Sequence, residues 1–130
     1  MTFTILVAED SADARRPLVR LLRGEGYNVL TAANAFEAIA AATRERPDLI
    51  LLDVAMPPID GLTLLSRIRE GPGGNNDVPV ILVTGLCDEL TRRRAEQLGV
   101  KEYLVKASFT PEHLLSCVQR HLRTNATQPS

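Results

Sequence analysis

Leu49-Ile50-Leu51-Leu52-Asp53 is a run of large aliphatic residues closed by a carboxylate, and its reading decides the fold. Pro47 stands before it and Met56-Pro57-Pro58 after it. The run therefore reads as a short strand buried on both faces, the pattern of a central strand in a parallel sheet. Ligands of open α/β sheets gather at the carboxyl ends of the strands, which is where Asp53 falls. A carboxylate against such a core is costly unless a cation faces it.

On either side of this run, strand and helix patterns alternate. Phe3 to Ala8 reads as a first strand and ends in Glu9-Asp10. From Ala12 to Glu25, Ala14, Leu18, Leu21 and Leu22 recur at helical spacing, and Gly24 and Gly26 close the helix. Tyr27 to Ala32 gives a second strand, and Ala35 to Arg46 an alanine-rich helix expected to pack through Phe36 and Ile39. Asp60 is the expected N-cap of a third helix, with Leu62, Leu64, Leu65 and Ile68 inward. Gly71 to Asp77 is dense in breakers and reads as an enlarged loop. Val78 to Val83 is a fourth strand ending in Thr84-Gly85, and a polar helix follows from Asp88 to Leu98. Glu102 to Val105 is a fifth strand ending in Lys106. Thr110-Pro111-Glu112 then opens a last helix with Leu114, Leu115, Val118 and Leu122 inward. The expected boundaries are one domain over 1–123 and a disordered tail or start of a linker over 124–130.

Five βα repeats at this spacing predict parallel strands with right-handed crossovers and helices on both faces. The expected architecture is a doubly wound, flavodoxin-like α/β sheet in the order 2-1-3-4-5, too few strands for an eight-stranded barrel.

Composition narrows the function. The 130 residues are 45% hydrophobic and 24% charged with a net charge of −1, ordinary for a soluble domain and no reason to expect nucleic acid or anionic membrane as a partner. Aromatics are only 4%, which argues against a base-stacking platform. No apolar stretch is long enough to span a bilayer, and Met1 to Ala8 lacks a basic n-region. A cytoplasmic location is expected. Cys87 and Cys117 match no metal or redox spacing and read as free thiols. His113 and His121 read as surface helix residues, and Arg92-Arg93-Arg94 as a solvated face.

The chemistry lies in what the strand ends bring together: Glu9 and Asp10, Asp53, Thr84 and Lys106. In the order 2-1-3-4-5 the strands carrying them are neighbours, so the groups converge on one edge. Carboxylates brought that close repel by roughly 4 kcal/mol per pair at an effective dielectric near 20. A hard dication relieves this, and Mg²⁺ suits a site of one or two carboxylates with room for phosphate oxygens. A carboxylate can also act as nucleophile and form an aspartyl phosphate. Charge developing on the phosphoryl group would then meet the metal, the Lys106 ammonium and the Thr84 hydroxyl.

The chain resembles a response-regulator receiver domain of two-component signalling, similar to the chemotaxis regulators, from Phe3 to Leu122. The resemblance rests on Glu9-Asp10, on Leu51-Leu52-Asp53-Val54-Ala55-Met56-Pro57-Pro58-Ile59-Asp60-Gly61, on Val83-Thr84-Gly85 and on Tyr103-Leu104-Val105-Lys106. It implies that Asp53 accepts a phosphoryl group from a sensor histidine kinase or phosphotransfer protein. It also implies Mg²⁺ held by Glu9, Asp10, Asp53 and the main-chain carbonyl of Ala55. Thr84, Lys106 and Tyr103 would bind the phosphoryl group and switch the surface offered to a downstream protein or output domain. The assembly to consider is a homodimer through helix 4, strand 5 and helix 5. Such a chain is a signalling module rather than a turnover enzyme.

Two departures carry expectations of their own. Ala107 replaces the proline usual after the lysine, which predicts a trans Lys106-Ala107 bond, since a cis bond there costs about 2.5–4 kcal/mol. Ala55 and Leu86, which flank the route of hydrolytic water in this family, are apolar here, which predicts slow self-dephosphorylation. A haloacid-dehalogenase-type phosphohydrolase would need a second aspartate where Ala55 stands. A pseudo-receiver serving as a constitutive interaction module would have no need of the acid pair, Asp53, Thr84 and Lys106.

Overall fold

Aliphatic side chains that alternate in direction along a strand need cover on both faces, and the chain supplies it. The computed structural model describes residues 2–71, 77–85 and 88–127, with side chains through 122. Its strands are β1 (Thr4–Ala8), β2 (Asn28–Ala32), β3 (Leu49–Leu52), β4 (Val80–Thr84) and β5 (Glu102–Val105). They form one parallel sheet in the order β2-β1-β3-β4-β5. The helices are α1 (Ala12–Gly24), α2 (Ala35–Glu45), α3 (Gly61–Glu70), α4 (Glu89–Gln97) and α5 (Pro111–Thr127). The doubly wound fold and its strand order are as the sequence predicts.

The two-residue period of the strands divides the core in two. Leu6, Ile50, Leu52, Val80 and Leu82 pack with Ala38, Leu62, Leu65 and Ala95 under α2, α3 and α4. Ile5, Val7, Leu49, Leu51, Ile81 and Val83 pack with Leu18, Leu22, Leu114 and Val118 under α1 and α5. All of β3 is buried, as an uninterrupted aliphatic run requires.

The helix boundaries follow capping chemistry. Ser11, Asn34, Asp60 and Asp88 each accept a backbone N–H from three residues on, at 3.3, 2.9, 2.8 and 2.7 Å. Glu37 answers Asn34 by accepting the Ala33 N–H at 2.9 Å, a reciprocal cap. After α1 the chain reverses through Gly26 at φ 90°, a conformation that suits glycine. The helical pattern of α5 continues past Leu122 to Thr127.

One packing expectation is corrected. Phe36 is 67% exposed, and α2 meets the sheet through Ala35, Ala38 and Ala42 instead. Small side chains at this i, i+3, i+7 spacing let the helix lie close to the strands, and Phe36 falls off that stripe. Ile39 is partly buried against the same core.

Candidate functional site

The strand ladders run one residue past the strand ends, and that extra rung fixes the functional residues. The Glu9 N–H donates to the Ala32 carbonyl at 3.0 Å, the Asp53 N–H to Ala8 at 3.1 Å and the Lys106 N–H to Thr84 at 2.8 Å. Three chemistry-bearing side chains thus leave the sheet from hydrogen-bonded backbone at one rim. Glu9 is 2% exposed, Asp53 4% and Thr84 3%, the buried polar or charged residues among the described residues of an otherwise apolar interior.

Lys106 is the cation that the buried carboxylates require. Its Nζ lies 2.5 Å from Glu9 Oε1 and 3.0 Å from Asp53 Oδ2. The other carboxylate oxygens are held by backbone: the Ser11 N–H donates to Glu9 Oε2 at 3.0 Å and the Ala55 N–H to Asp53 Oδ1 at 3.3 Å. Arg15 Nη1 donates to the Glu9 carbonyl at 2.8 Å and ties α1 to the site. Asp10 is exposed, yet carboxylate oxygens of Glu9, Asp10 and Asp53 all lie within 4.8 Å of one another.

Formal charge in the cluster is three negative against one positive. Burial pushes Glu9 up, and the nearby Asp53 adds to this, against the hydrogen bonds from Lys106 and Ser11. Burial would lower Lys106, but its bonds to Glu9 and Asp53 outweigh that and raise it. Three oxygen-bearing side chains at this separation, short of positive charge, fit a hard divalent ion.

The loop after β3 owes its course to Gly61. A Cβ on Gly61 would lie 2.1 Å from the Asp53 carbonyl oxygen and 2.9 Å from its carbon, so only glycine lets α3 begin there. The Gly61 N–H donates to the Val54 carbonyl, Met56 is fully buried, and the Ala35 N–H donates to Pro57 at 3.2 Å. Among the described residues the cis peptide bond is Pro57-Pro58, and Lys106-Ala107 is trans, as alanine in place of proline predicts.

This geometry sorts the expected site residues. Glu9, Asp10, Asp53 and Lys106 come together, and Thr84 ends the strand beside Asp53's own. Ala55 is exposed in the loop immediately after. Tyr103 pairs with Leu82 in the β4–β5 register, so it lies further back along the sheet, its ring against the α2–α4 core and its hydroxyl buried. Leu86, Cys87 and residues 72–76 lie outside the described residues. Arg15 was not singled out by sequence reasoning; its position one turn after the Ser11 cap is the signal that could have found it.

A comparison with protein families now decides the assignment: the description "Response regulator receiver domain" matches residues 5–119. The chain belongs to the response regulator receiver family. Among curated proteins, this receiver is 40% identical to an uncharacterized 14.6 kDa protein of Leptolyngbya boryana, over 90% of this chain and 88% of that one. It is 38% identical to a probable transcriptional regulator, ycf27, of Porphyridium aerugineum, over 92% of this chain and 48% of that one. The receiver thus spans about half the length of the ycf27 relatives it matches. Among solved structures, a CheY-like receiver domain protein of Methanospirillum hungatei superposes with a TM-score of 0.90 at 26% identity, over 99% of this chain and 100% of that one. The receiver domain of the sensor histidine kinase PA1611 of Pseudomonas aeruginosa has a TM-score of 0.84 at 30% identity, over 95% and 99%, and holds a magnesium ion in its active-site cleft. Among the described residues of the present receiver, no helix is long and apolar enough to cross a membrane.

Proposed function

We propose that this receiver accepts a phosphoryl group on Asp53 from the phosphohistidine of a sensor kinase or phosphotransfer protein. The observation that carries the reading is the Lys106 ammonium shared by two buried carboxylates, with a third within 4.8 Å. Glu9, Asp10 and Asp53, with the Ala55 carbonyl, are the residues that would hold Mg²⁺, and the ion would supply charge neutralisation for the transferred group. Asp53 supplies the nucleophilic oxygen, which bonds to phosphorus as the phosphorus–nitrogen bond of the donor breaks. Glu9 keeps the Lys106 ammonium at the rim, where it faces the charge gathered on the phosphoryl oxygens. Thr84 offers a hydroxyl from the neighbouring strand end, and burial of the group's surroundings strengthens each of these interactions.

The added charge of about −1.5 to −2 biases an equilibrium between two arrangements of the surface around Thr84 and Tyr103. The α4–β5–α5 face is the surface that would carry this change to a downstream protein, an output domain or a second copy. With only a methyl group at Ala55 to face incoming water, hydrolysis of the acyl phosphate is slow.

The test is incubation with Mg²⁺ and acetyl phosphate, followed by intact-protein mass. One phosphoryl adduct is expected, and D53N should carry none. A folded wild-type chain that gains no adduct would establish the pseudo-receiver reading in its place.

A further inference from the structure

A second cluster of ligating side chains stands apart from the acid rim, between the edge strand β5 and α5. Glu102 opens β5 and shares the parity of Leu104, so its side chain faces α5. Arg120 Nη1 approaches Glu102 Oε2 at 2.6 Å and His121 Nε2 approaches the same oxygen at 2.8 Å. The Cys117 sulfur lies within 4.8 Å of a carboxylate oxygen of Glu102. Cys117 is fully buried, while His113, one helical turn earlier, is exposed and reaches in from solvent. Ligand atoms of Glu102, His113 and Cys117 all lie within 4.8 Å of one another.

We propose that Glu102, His113 and Cys117 form a binding site for a borderline-soft divalent transition-metal ion, with Zn²⁺ the best match. The ligand chemistry argues against the hard ion of the acid rim: a thiolate and an imidazole select zinc and its neighbours, whereas magnesium takes oxygen. His113 and Cys117 are at i and i+4 on one helix, the spacing with which two helical side chains grip one zinc ion. Three protein ligands leave a fourth position open to water. Zinc–sulfur bonds near 2.3 Å and zinc–nitrogen bonds near 2.0 Å put tetrahedral ligand atoms roughly 3.5 Å apart. From separations of up to 4.8 Å the cluster therefore needs to contract by at most about 1.3 Å, and exposed His113 has the freedom to supply it.

Arg120 and His121 act on the ion only through Glu102, as positioning residues. Ligating carboxylates are characteristically held by such outer hydrogen bonds. On binding, the Cys117 thiol gives its proton to solvent and its sulfur ligates the metal as the thiolate. The bound ion would tie the edge strand to α5 across the face proposed to carry the signal.

Co²⁺ is the probe, because a thiolate ligand gives it a near-ultraviolet charge-transfer band. The full chain is titrated with Co²⁺ in excess Mg²⁺, which keeps the acid rim occupied, and Zn²⁺ is then added as competitor. One equivalent of Co²⁺ with a thiolate band is expected, displaced by Zn²⁺. C117A should lose the band, and H113A, altered at an exposed position that leaves the core intact, should weaken binding at least tenfold. C87S and D53N should retain both band and affinity. The proposal is overturned if the folded wild type shows no thiolate band, if the band disappears in C87S, or if H113A binds Co²⁺ as tightly as wild type.

Discussion

Replacing Gly61 by alanine should damage the receiver more than its size suggests. The added Cβ would sit 2.1 Å from the Asp53 carbonyl oxygen and 3.0 Å from the Val54 Cα. Both are backbone atoms, so no side chain can turn aside. Either α3 moves off the sheet or the loop carrying Asp53 shifts. Forced repacking of that kind costs about 1–3 kcal/mol. Loss of the Gly61 N–H bond to the Val54 carbonyl adds about 0.5–1.5 kcal/mol. The expected destabilisation is therefore about 1.5–4.5 kcal/mol, a large share of the 5–15 kcal/mol typical of a domain. Gly24 is the control, since a Cβ there meets nothing within 4 Å and G24A should stabilise by about 0.4–1 kcal/mol through the unfolded chain. Urea denaturation reads both, with the G61A midpoint falling by about 1 M or more at a typical slope. A G61A midpoint equal to that of wild type, with the slope unchanged, would refute the close-approach argument.

Four further outcomes follow from the same contacts. K106M removes the ammonium between Glu9 and Asp53, and should slow phosphorylation by acetyl phosphate about 10²-fold, the usual effect of losing one charge-stabilising donor; an unchanged rate in a stopped-flow assay would exclude that role. Placing a polar side chain at exposed Ala55 (A55N) should quicken loss of the phosphoryl group, followed by the decay of the mass adduct, whereas an unaltered half-life would show that the methyl group is not what slows hydrolysis. Arg69 of α3 donates from Nε to the Leu98 carbonyl at 2.9 Å and from Nη1 to Val78 at 2.6 Å. R69A should therefore cost about 2–4 kcal/mol in thermal or urea unfolding, at the usual worth of charge-assisted hydrogen bonds; a loss below 1 kcal/mol would mean that water replaces both. Burial works to raise Asp60, but the Thr63 N–H and hydroxyl and the Arg94 guanidinium hold it below its ordinary 3.8. Its charged form thus favours the fold: the contribution is complete above about pH 5 and fades as pH falls through the lowered value. D60N keeps the cap but should lack this acid dependence, so its denaturation midpoint should converge on that of wild type in acid; a constant gap would contradict the assignment.

The rim was legible because its signals are local. A strand that ends in a carboxylate, a threonine or a lysine announces its edge, and the parallel order places those edges side by side. The cap at Asp60 was legible for the same reason, being set by residues three apart. What escaped depends on partners distant in sequence. The face of α2 was misjudged because hydrophobic size favours Phe36, whereas close approach to the sheet favours alanine. His121 looked like a surface residue until β5 brought Glu102 to it at 2.8 Å. Arg69 gave no sign that it joins α3 to the ends of two other elements. At Ala107 the bond is trans, as alanine in place of proline predicts, and the Lys106 ammonium still seats between the two carboxylates.

The account's central claim is that Asp53 becomes an acyl phosphate, and borohydride trapping tests it directly. Reduction of a mixed anhydride turns the aspartate that carried it into homoserine, which peptide sequencing by mass locates. After treatment with Mg²⁺ and acetyl phosphate, homoserine is predicted at position 53 alone. Homoserine at Asp10 or Asp60, or none at all in a chain that has gained a phosphoryl adduct, would contradict it.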